Sequence, residues 1–260
     1  MEKKAKEIKK IVEEGYAKIA RQGGSCCPSA SCCSSTTSVQ DISKSMGYNS
    51  EEINAVPEGA NLGLGCGNPV ALASLKEGDV VLDLGSGAGF DAFLAAQRVG
   101  KTGRVIGVDM TLDMVEKAKA NAKRGGYPNV EFRAGEIEKL PVENDSIDVI
   151  ISNCVINLSP EKEEVFREAF RVLKSGGRLM VSDLVLAHEL PKEIKESVEA
   201  YVGCLAGAIK KDDYIGFIKQ AGFQDVTIIS ESSYPIGAMF DGFKDAQDAI
   251  VSVKVSAVKE

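Results

Sequence analysis

Apolar positions recur along this chain with two different periods. Between residues 2 and 22, Ile8, Ile11, Val12, Ile19 and Ala20 share one face of a 3.6-residue helix. Lysines and glutamates fill the other positions, and the lysines at 3, 4, 6, 9 and 10 read as a solvated face. Gly23 and Gly24 end this helix. From residue 76 short β-branched runs alternate with helical segments. Strands are predicted over 80–84, 104–108, 130–134, 147–152 and 178–183, and helices over 90–99, 111–124 and 160–173. Such βαβ alternation makes a doubly wound, mostly parallel α/β sheet.

Between these regions the pattern weakens. Residues 25–38, SCCPSASCCSSTTS, are small and polar and predict a loop or arm. A short helix is predicted over 40–55, and a glycine-rich loop over 56–69. After the fifth strand the chain is helical to about residue 221, with Gly222 as a helix stop. Two further strands follow at 225–230 and 249–258; they extend the sheet or form a small C-terminal α+β cap. The expected organisation is 1–60 as an N-terminal helix and Cys-rich arm, 61–188 as the core, and 189–260 as a helical segment with the last strands.

Composition narrows the function. Thirty-one basic against 38 acidic residues give a net charge of -7, which opposes a nucleic-acid surface. No apolar run approaches the ~18 residues of a membrane span, and no export signal precedes the helix. A cytoplasmic protein, expected as a monomer, follows. Seven cysteines in so long a chain do not suggest a disulfide framework. Cys26, Cys27, Cys32 and Cys33 cluster; Cys66, Cys154 and Cys204 stand apart. The only histidine, His188, follows the fifth strand in a predicted surface loop.

The first strand runs into Asp83-Leu84-Gly85-Ser86-Gly87-Ala88-Gly89-Phe90. A dinucleotide loop wants a small residue where Phe90 stands. The spacing, preceded by Asp83, instead resembles the loop of class I S-adenosylmethionine methyltransferases. That cofactor has no pyrophosphate to cradle. Its sulfonium and ammonium favour nearby carboxylates, and glycines let the backbone approach it. Asp109, ending the second strand and followed by Met110, is placed to accept hydrogen bonds from ribose hydroxyls. Glu136 and Ile137 follow the third strand, where such enzymes meet the adenine. Asn153, closing the fourth, completes the expected set.

The lone thiols are ambiguous on spacing. Cys154 in Ser152-Asn153-Cys154 ends the fourth strand, near the methyl to be transferred or packed beneath the loop. Cys204, among small residues on a helix, reads by itself as a core residue. Cys66 lies between Gly65 and Gly67, which argues against packing and for exposure. The arm's four thiols could close a zinc site, although C-C-x4-C-C lacks the usual spacing; a plain tether is the other reading.

Three motifs together, EGANLGLGCGNP (58–69), VLDLGSGAGFD (81–91) and SNCVINL (152–158), resemble the arsenite S-adenosylmethionine methyltransferases over about residues 46–223. The resemblance implies that Cys66, Cys154 and Cys204 hold As(III), in arsenic detoxification. The substrate would be arsenite or its glutathione conjugate. A further N-terminal cysteine, one or more of Cys26, Cys27, Cys32 and Cys33, would enter thiol–disulfide cycling with thioredoxin or glutathione. The chemistry is consistent: soft trivalent arsenic prefers thiolates, and its lone pair is the nucleophile, so no general base is required. The alternatives are a methyltransferase for a small organic acceptor such as a quinol, and a thiol-rich metalloid binder without catalysis.

Overall fold

A computed structural model describes residues 2–22, 38–234 and 249–260. The N-terminal helix is α1 (Glu2–Gln22). In place of one helix over 40–55 there are two, α2 (Val39–Ser45) and α3 (Ser50–Asn54). Ser38 and Asn49 each form a capping box, and Gly47 at φ 97° breaks the chain between them. After a one-turn helix, α4 (Pro69–Leu72), the alternation begins: β1 (Val80–Leu84), α5 (Phe90–Val99), β2 (Arg104–Asp109), α6 (Leu112–Gly125), β3 (Val130–Ala134) and β4 (Ile147–Asn153). A 3-10 turn (Ile156–Leu158), α7 (Lys162–Val172) and the long β5 (Leu173–Leu186) follow.

The single helical stretch expected up to residue 221 is broken into α8 (Lys192–Lys195), α9 (Val198–Val202) and α10 (Lys211–Gln220). Pro191 opens the first, and Gly203 with left-handed Cys204 closes the second. The chain ends in β6 (Gln224–Ser233) and β7 (Ile250–Val258).

The seven strands form one sheet in the order β3-β2-β1-β4-β5-β7-β6. The first five are parallel, and β7 runs antiparallel to both β5 and β6. Of the two arrangements the sequence leaves open for the last strands, a separate small cap is not what forms: they extend the sheet. The reason is packing. Val253, Val255 and Ala257 of β7 are buried in the same cluster as Tyr214 and Ile218 of α10, and β7 pairs the edge of β5 that would otherwise lie open.

Alternation along the strands separates two cores. Leu82, Leu84, Ile106, Val108 and Ile150 face α7 and α10. Val81, Val105, Val149 and Ile151 face α5 and α6. Burial on both faces explains why these strands read as continuous apolar runs. The strand order reverses between β1 and β4, so a crevice opens at their carboxyl ends. There Asp83, Asn153 and Cys154 meet, with α1 lying across them. No helix among the described residues is long and apolar enough to cross a membrane.

Gly207 illustrates how tightly the segment after α9 sits on the core. A β-carbon there would overlap the backbone carbonyl oxygen of Asn157. Backbone cannot yield as a side chain can, so Gly207→Ala is expected to lower stability by about 1–3 kcal/mol. Thermal unfolding measures it, and an unchanged melting temperature would contradict this packing.

Candidate functional site

Asp83, Gly85, Ser86 and Gly87 form one wall of the crevice, and Asp109 and Met110 another. Asp109 ties the walls together. Its Oδ2 accepts a hydrogen bond from the Gly87 amide at 2.9 Å and its Oδ1 one from the Thr111 amide at 2.8 Å. Gly87, at φ 52°, leaves open space where a side chain would stand. Gly89, at φ 98°, does not line the crevice: a β-carbon there would press on Phe93 and Phe132, so its role is steric.

Three acids are buried together here. Burial, reinforced by Asp91 and Asp109, pushes the Asp83 carboxyl well above the usual range. Burial also raises Asp109, and it raises Asp91 to about 6 against hydrogen bonds from Tyr48 and Asn153. Asp83 Oδ2 and Ser86 Oγ are buried without a hydrogen-bond partner. Unsatisfied acceptors among carboxyls suit a cationic ligand that donates hydrogen bonds. The residues present therefore fit a sulfonium- and ammonium-bearing cofactor.

Asn153 links this crevice to the thiols. Its Nδ2 lies 2.9 Å from each of Tyr48 Oη, Asp91 Oδ2 and the Gly67 carbonyl, and its Oδ1 accepts from the Cys66 amide at 3.0 Å. Tyr48 Oη donates to Asp91 Oδ1 at 2.6 Å. Ser252 of β7 donates to the Cys66 carbonyl at 2.9 Å. The loop is thus fastened to β4 and β7, and its thiol donates to the Ser182 carbonyl of β5 at 3.4 Å.

This corrects one expectation: Cys66 is not exposed but 5% accessible. The flanking glycines serve approach instead of openness. A β-carbon on Gly65 would come within 2.6 Å of Asn153 Nδ2, and one on Gly67 would overlap Ser182 Oγ.

Cys154 and Cys204 are buried beside Cys66 in one cluster. The Cys154 amide donates to the Ser182 carbonyl at 2.8 Å, and Cys204 Sγ donates to the Cys154 carbonyl at 2.8 Å. Both residues have positive φ, 59° and 65°. For cysteine that is a strained conformation, of the kind that clusters at functional sites. Cys154 alone of the three also lines the crevice. Burial pushes the Cys66 thiol up, and the neighbouring Cys204 and Cys66 thiols hold Cys154 well above the ordinary value.

Polar residues that the sequence did not single out complete the cluster. Asp183 of β5 is fully buried, and its carboxylate and the Cys66 and Cys154 sulfurs lie within 4.8 Å of one another. It accepts from Tyr214 Oη at 3.1 Å and from the Leu184 amide at 2.9 Å, and burial pushes it up to about 7. Lys162 donates to the Asn157 and Ser159 carbonyls at 3.1 and 2.8 Å; burial pushes it down to about 8, opposed by Asp183 and Cys204. An acid inside the apolar run RLMVSDLVL was the available signal for Asp183. Nothing in the helical pattern marks Lys162.

Two expectations change around α1. Glu136 does not line the crevice; its carboxylate turns outward to Lys9 at 2.8 Å, while Ile137 keeps the lining position. Lys9 in turn is no solvated residue. Its side chain is 17% exposed and faces Glu136, Glu138 and Glu161 at 2.8, 3.2 and 3.3 Å. Burial opposes its charge, but the Glu136 and Glu138 contacts prevail and hold it well above the ordinary value. Its place three residues before Val12, on the apolar stripe, was the signal. Lys9, Val12 and Tyr16 roof the crevice, and Tyr16 Oη lies 3.9 Å from Cys204 Sγ. His188 is exposed as expected. The expectations for Cys26, Cys27, Cys32 and Cys33 lie outside the described residues.

Residues 75–222 match the family described as a methyltransferase domain. The arsenite methyltransferase of Halobacterium salinarum is 44% identical over 97% of this chain and 67% of that protein. That of Homo sapiens is 40% identical over 61% of this chain and 44% of that protein. Among solved structures, an arsenic(III) S-adenosylmethionine methyltransferase from Chlamydomonas reinhardtii superposes with a TM-score of 0.67 at 33% identity, over 87% of this chain and 75% of that one. The chain spans two thirds of the Halobacterium protein and less than half of the human one.

The buried acids make a signed prediction. Asp91 titrates at about 6 when folded against 3.8 ordinarily. Below 3.8 it is neutral in both states; above 6 it is charged in both, and the folded state bears the cost. Its contribution therefore becomes less favourable between about pH 4 and 6, by roughly 3 kcal/mol at most. The stability of the native chain relative to Asp91→Asn should fall over that interval and level off above it. Chemical denaturation at stepped pH tests this, and a flat difference would refute it.

Proposed function

This chain belongs to the arsenite methyltransferases, a family of S-adenosylmethionine-dependent enzymes, and from that premise we propose that it methylates As(III) held by Cys66, Cys154 and Cys204. The observation that carries the reading is the convergence of three thiols, from positions 88 and 50 residues apart, beside a crevice that one of them lines.

The arrangement suits capture of a neutral substrate. Each protonated thiol exchanges with one As–OH group: an As–S bond forms, an As–O bond breaks, and the thiol proton leaves with the hydroxyl as water. The raised pKa values of Cys66 and Cys154 are no obstacle, because each thiol brings the proton its leaving group needs. Three such exchanges give a neutral tris-thiolate with its lone pair intact, and no general base is required. Asp83, Ser86, Gly87, Asp109, Met110 and Ile137 hold the cofactor, and Asn153 fixes the Cys66 loop against it. S-adenosylmethionine supplies an electrophilic methyl group. The sheet's part is to hold the arsenic lone pair toward the crevice, since misplacement by about 1 Å costs roughly 100-fold in rate.

Methylation formally oxidises arsenic by two electrons. A dithiol that becomes a disulfide returns them, and thioredoxin or glutathione resets it by exchange. The pairs Cys26/Cys27 and Cys32/Cys33 are the proposed source, with arsenic detoxification as the outcome.

The reduced chain, incubated with arsenite, S-adenosylmethionine, glutathione and a thioredoxin system, should yield methylated arsenic, measured by chromatography with element-specific detection. Cys154→Ser should lose about 100-fold or more. Cys66→Ser should impair the first methylation most, because one As–C bond later replaces one thiolate. Full turnover by Cys154→Ser, or methylation of a quinol without methylated arsenic, would overturn the proposal.

A further inference from the structure

The thiol cluster contains a donor that trivalent arsenic does not need. As(III) takes three sulfurs and keeps a lone pair, yet the Asp183 carboxylate stands within 4.8 Å of the Cys66 and Cys154 sulfurs. Two thiols and a carboxylate at this spacing, with the Cys204 thiol beside them, form a donor set of different character. Zn²⁺ accepts sulfur and oxygen donors together and prefers a tetrahedron. With Zn–S near 2.3 Å and Zn–O near 2.1 Å, its donors stand roughly 3.5–3.8 Å apart. The three donors from Cys66, Cys154 and Asp183, already within 4.8 Å of one another, have only to draw together to close on it.

We infer that the cluster is also a Zn²⁺ site, with Cys66, Cys154 and Asp183 as ligands and Cys204 available as the fourth, and that zinc and arsenite exclude one another there.

The surroundings support the assignment. Asp183 is aimed by two hydrogen bonds, from Tyr214 Oη to Oδ2 and from the Leu184 amide to Oδ1, as second partners orient a metal-binding carboxylate. The carboxylate and all three sulfurs are at most 5% accessible, so bound metal would be shielded from water. Three thiolates and a carboxylate leave a doubly negative complex; the ammonium of buried Lys162, which senses both Asp183 and Cys204, offsets part of that charge. Binding releases the thiol protons to solvent and moves no electrons. Asp183 then separates the two ligands: it is a bond to zinc and only a neighbour to arsenic. Zinc binding itself does not depend on the proposed activity; the exclusion rests on that reading.

The test uses the full chain, fully reduced, with Cys26, Cys27, Cys32 and Cys33 replaced by serine so that their thiols cannot contribute. Zn²⁺ is titrated against a chromogenic chelator, and Co²⁺ serves as an optical probe of sulfur coordination. One equivalent of zinc should bind, arsenite should expel it, and Cys154→Ser should abolish binding. Asp183→Asn should weaken zinc by about tenfold or more and leave arsenite affinity unchanged. Should that variant not fold, Tyr214→Phe carries the test: it removes one of the two hydrogen bonds that aim Asp183 and should weaken zinc alone, by about tenfold or more. Absence of stoichiometric zinc, zinc retained by Cys154→Ser, equal losses for both ligands in Asp183→Asn, or unchanged zinc affinity in Tyr214→Phe would each overturn the inference. Asp183-dependent zinc binding by a chain that does not bind arsenite would instead count against the arsenite reading, and against the exclusion only.

Discussion

The site depends on how closely the Cys66 loop can lie against the sheet. Two missing β-carbons, at Gly65 and Gly67, permit the approach, and one amide side chain fixes it. Asn153 holds the loop through its backbone on both sides of the thiol, taking the Cys66 amide and approaching the Gly67 carbonyl. Because Asn153 ends β4, the thiol inherits the rigidity of a parallel sheet buried on both faces. Cys154 is the next residue, just past the end of that strand. The two sulfurs are therefore placed by one structural decision, although 88 residues separate them in sequence. Cys204 joins through its hydrogen bond to the Cys154 carbonyl, and Asn157 bonds to the Leu184 and Cys204 carbonyls on either side.

The same asparagine belongs to the charge arrangement of the neighbouring crevice. It shares Asp91 with Tyr48, and Asp91 stands beside Asp83, whose free oxygen remains unsatisfied. Burying carboxyls without cations is unfavourable for a folded chain by itself. A cationic ligand removes much of that penalty, so the cost built into the crevice reappears as affinity. Among the described residues lining the crevice, Lys9 carries the only ammonium, and it is already engaged by Glu136 and Glu138. It fastens α1 down without neutralising the floor. Acidity below and an occupied cation above leave the crevice's own charge for the ligand.

How much of this was legible follows from the kind of contact involved. Parallel strands were readable because burial on both faces leaves continuous apolar runs, and 80–84 and 130–134 fall where the pattern put them. The glycine loop was readable because its constraint is local. The three lone thiols had no such local signature. Spacing left Cys154 ambiguous and put Cys204 in the core, and only the motif resemblance joined them to Cys66. Glycine itself was misleading at Cys66: it signals an open loop or a close approach equally well, and only the tertiary partner distinguishes them. Lys9 and Glu136 were read as solvent-facing and lining residues, but they pair with each other across 127 residues. Asp183, Lys162, Tyr48 and Tyr214 act through partners from distant segments, which no window of sequence brings together.

Burial has a consequence for the chemistry that ties these features together. An exposed thiol cluster would be more acidic and more reactive, but also open to oxidation and to any thiophile in solution. A buried cluster in which Cys66 and Cys154 have raised pKa values favours ligands that can receive the thiol protons. On the proposed reading arsenite meets that condition through its hydroxyls, and a neutral tris-thiolate adds no net charge to a cluster that already holds the Asp183 carboxyl. Loss of charge on the thiols therefore serves selectivity, while the strained backbone at Cys154 and Cys204 stores their positions before any ligand arrives. On the other side of Asn153 the crevice is lined by the acids Asp83, Asp91 and Asp109. One strand end thus separates a buried thiol cluster from a crevice lined by acids, and Cys154 is the residue that touches both.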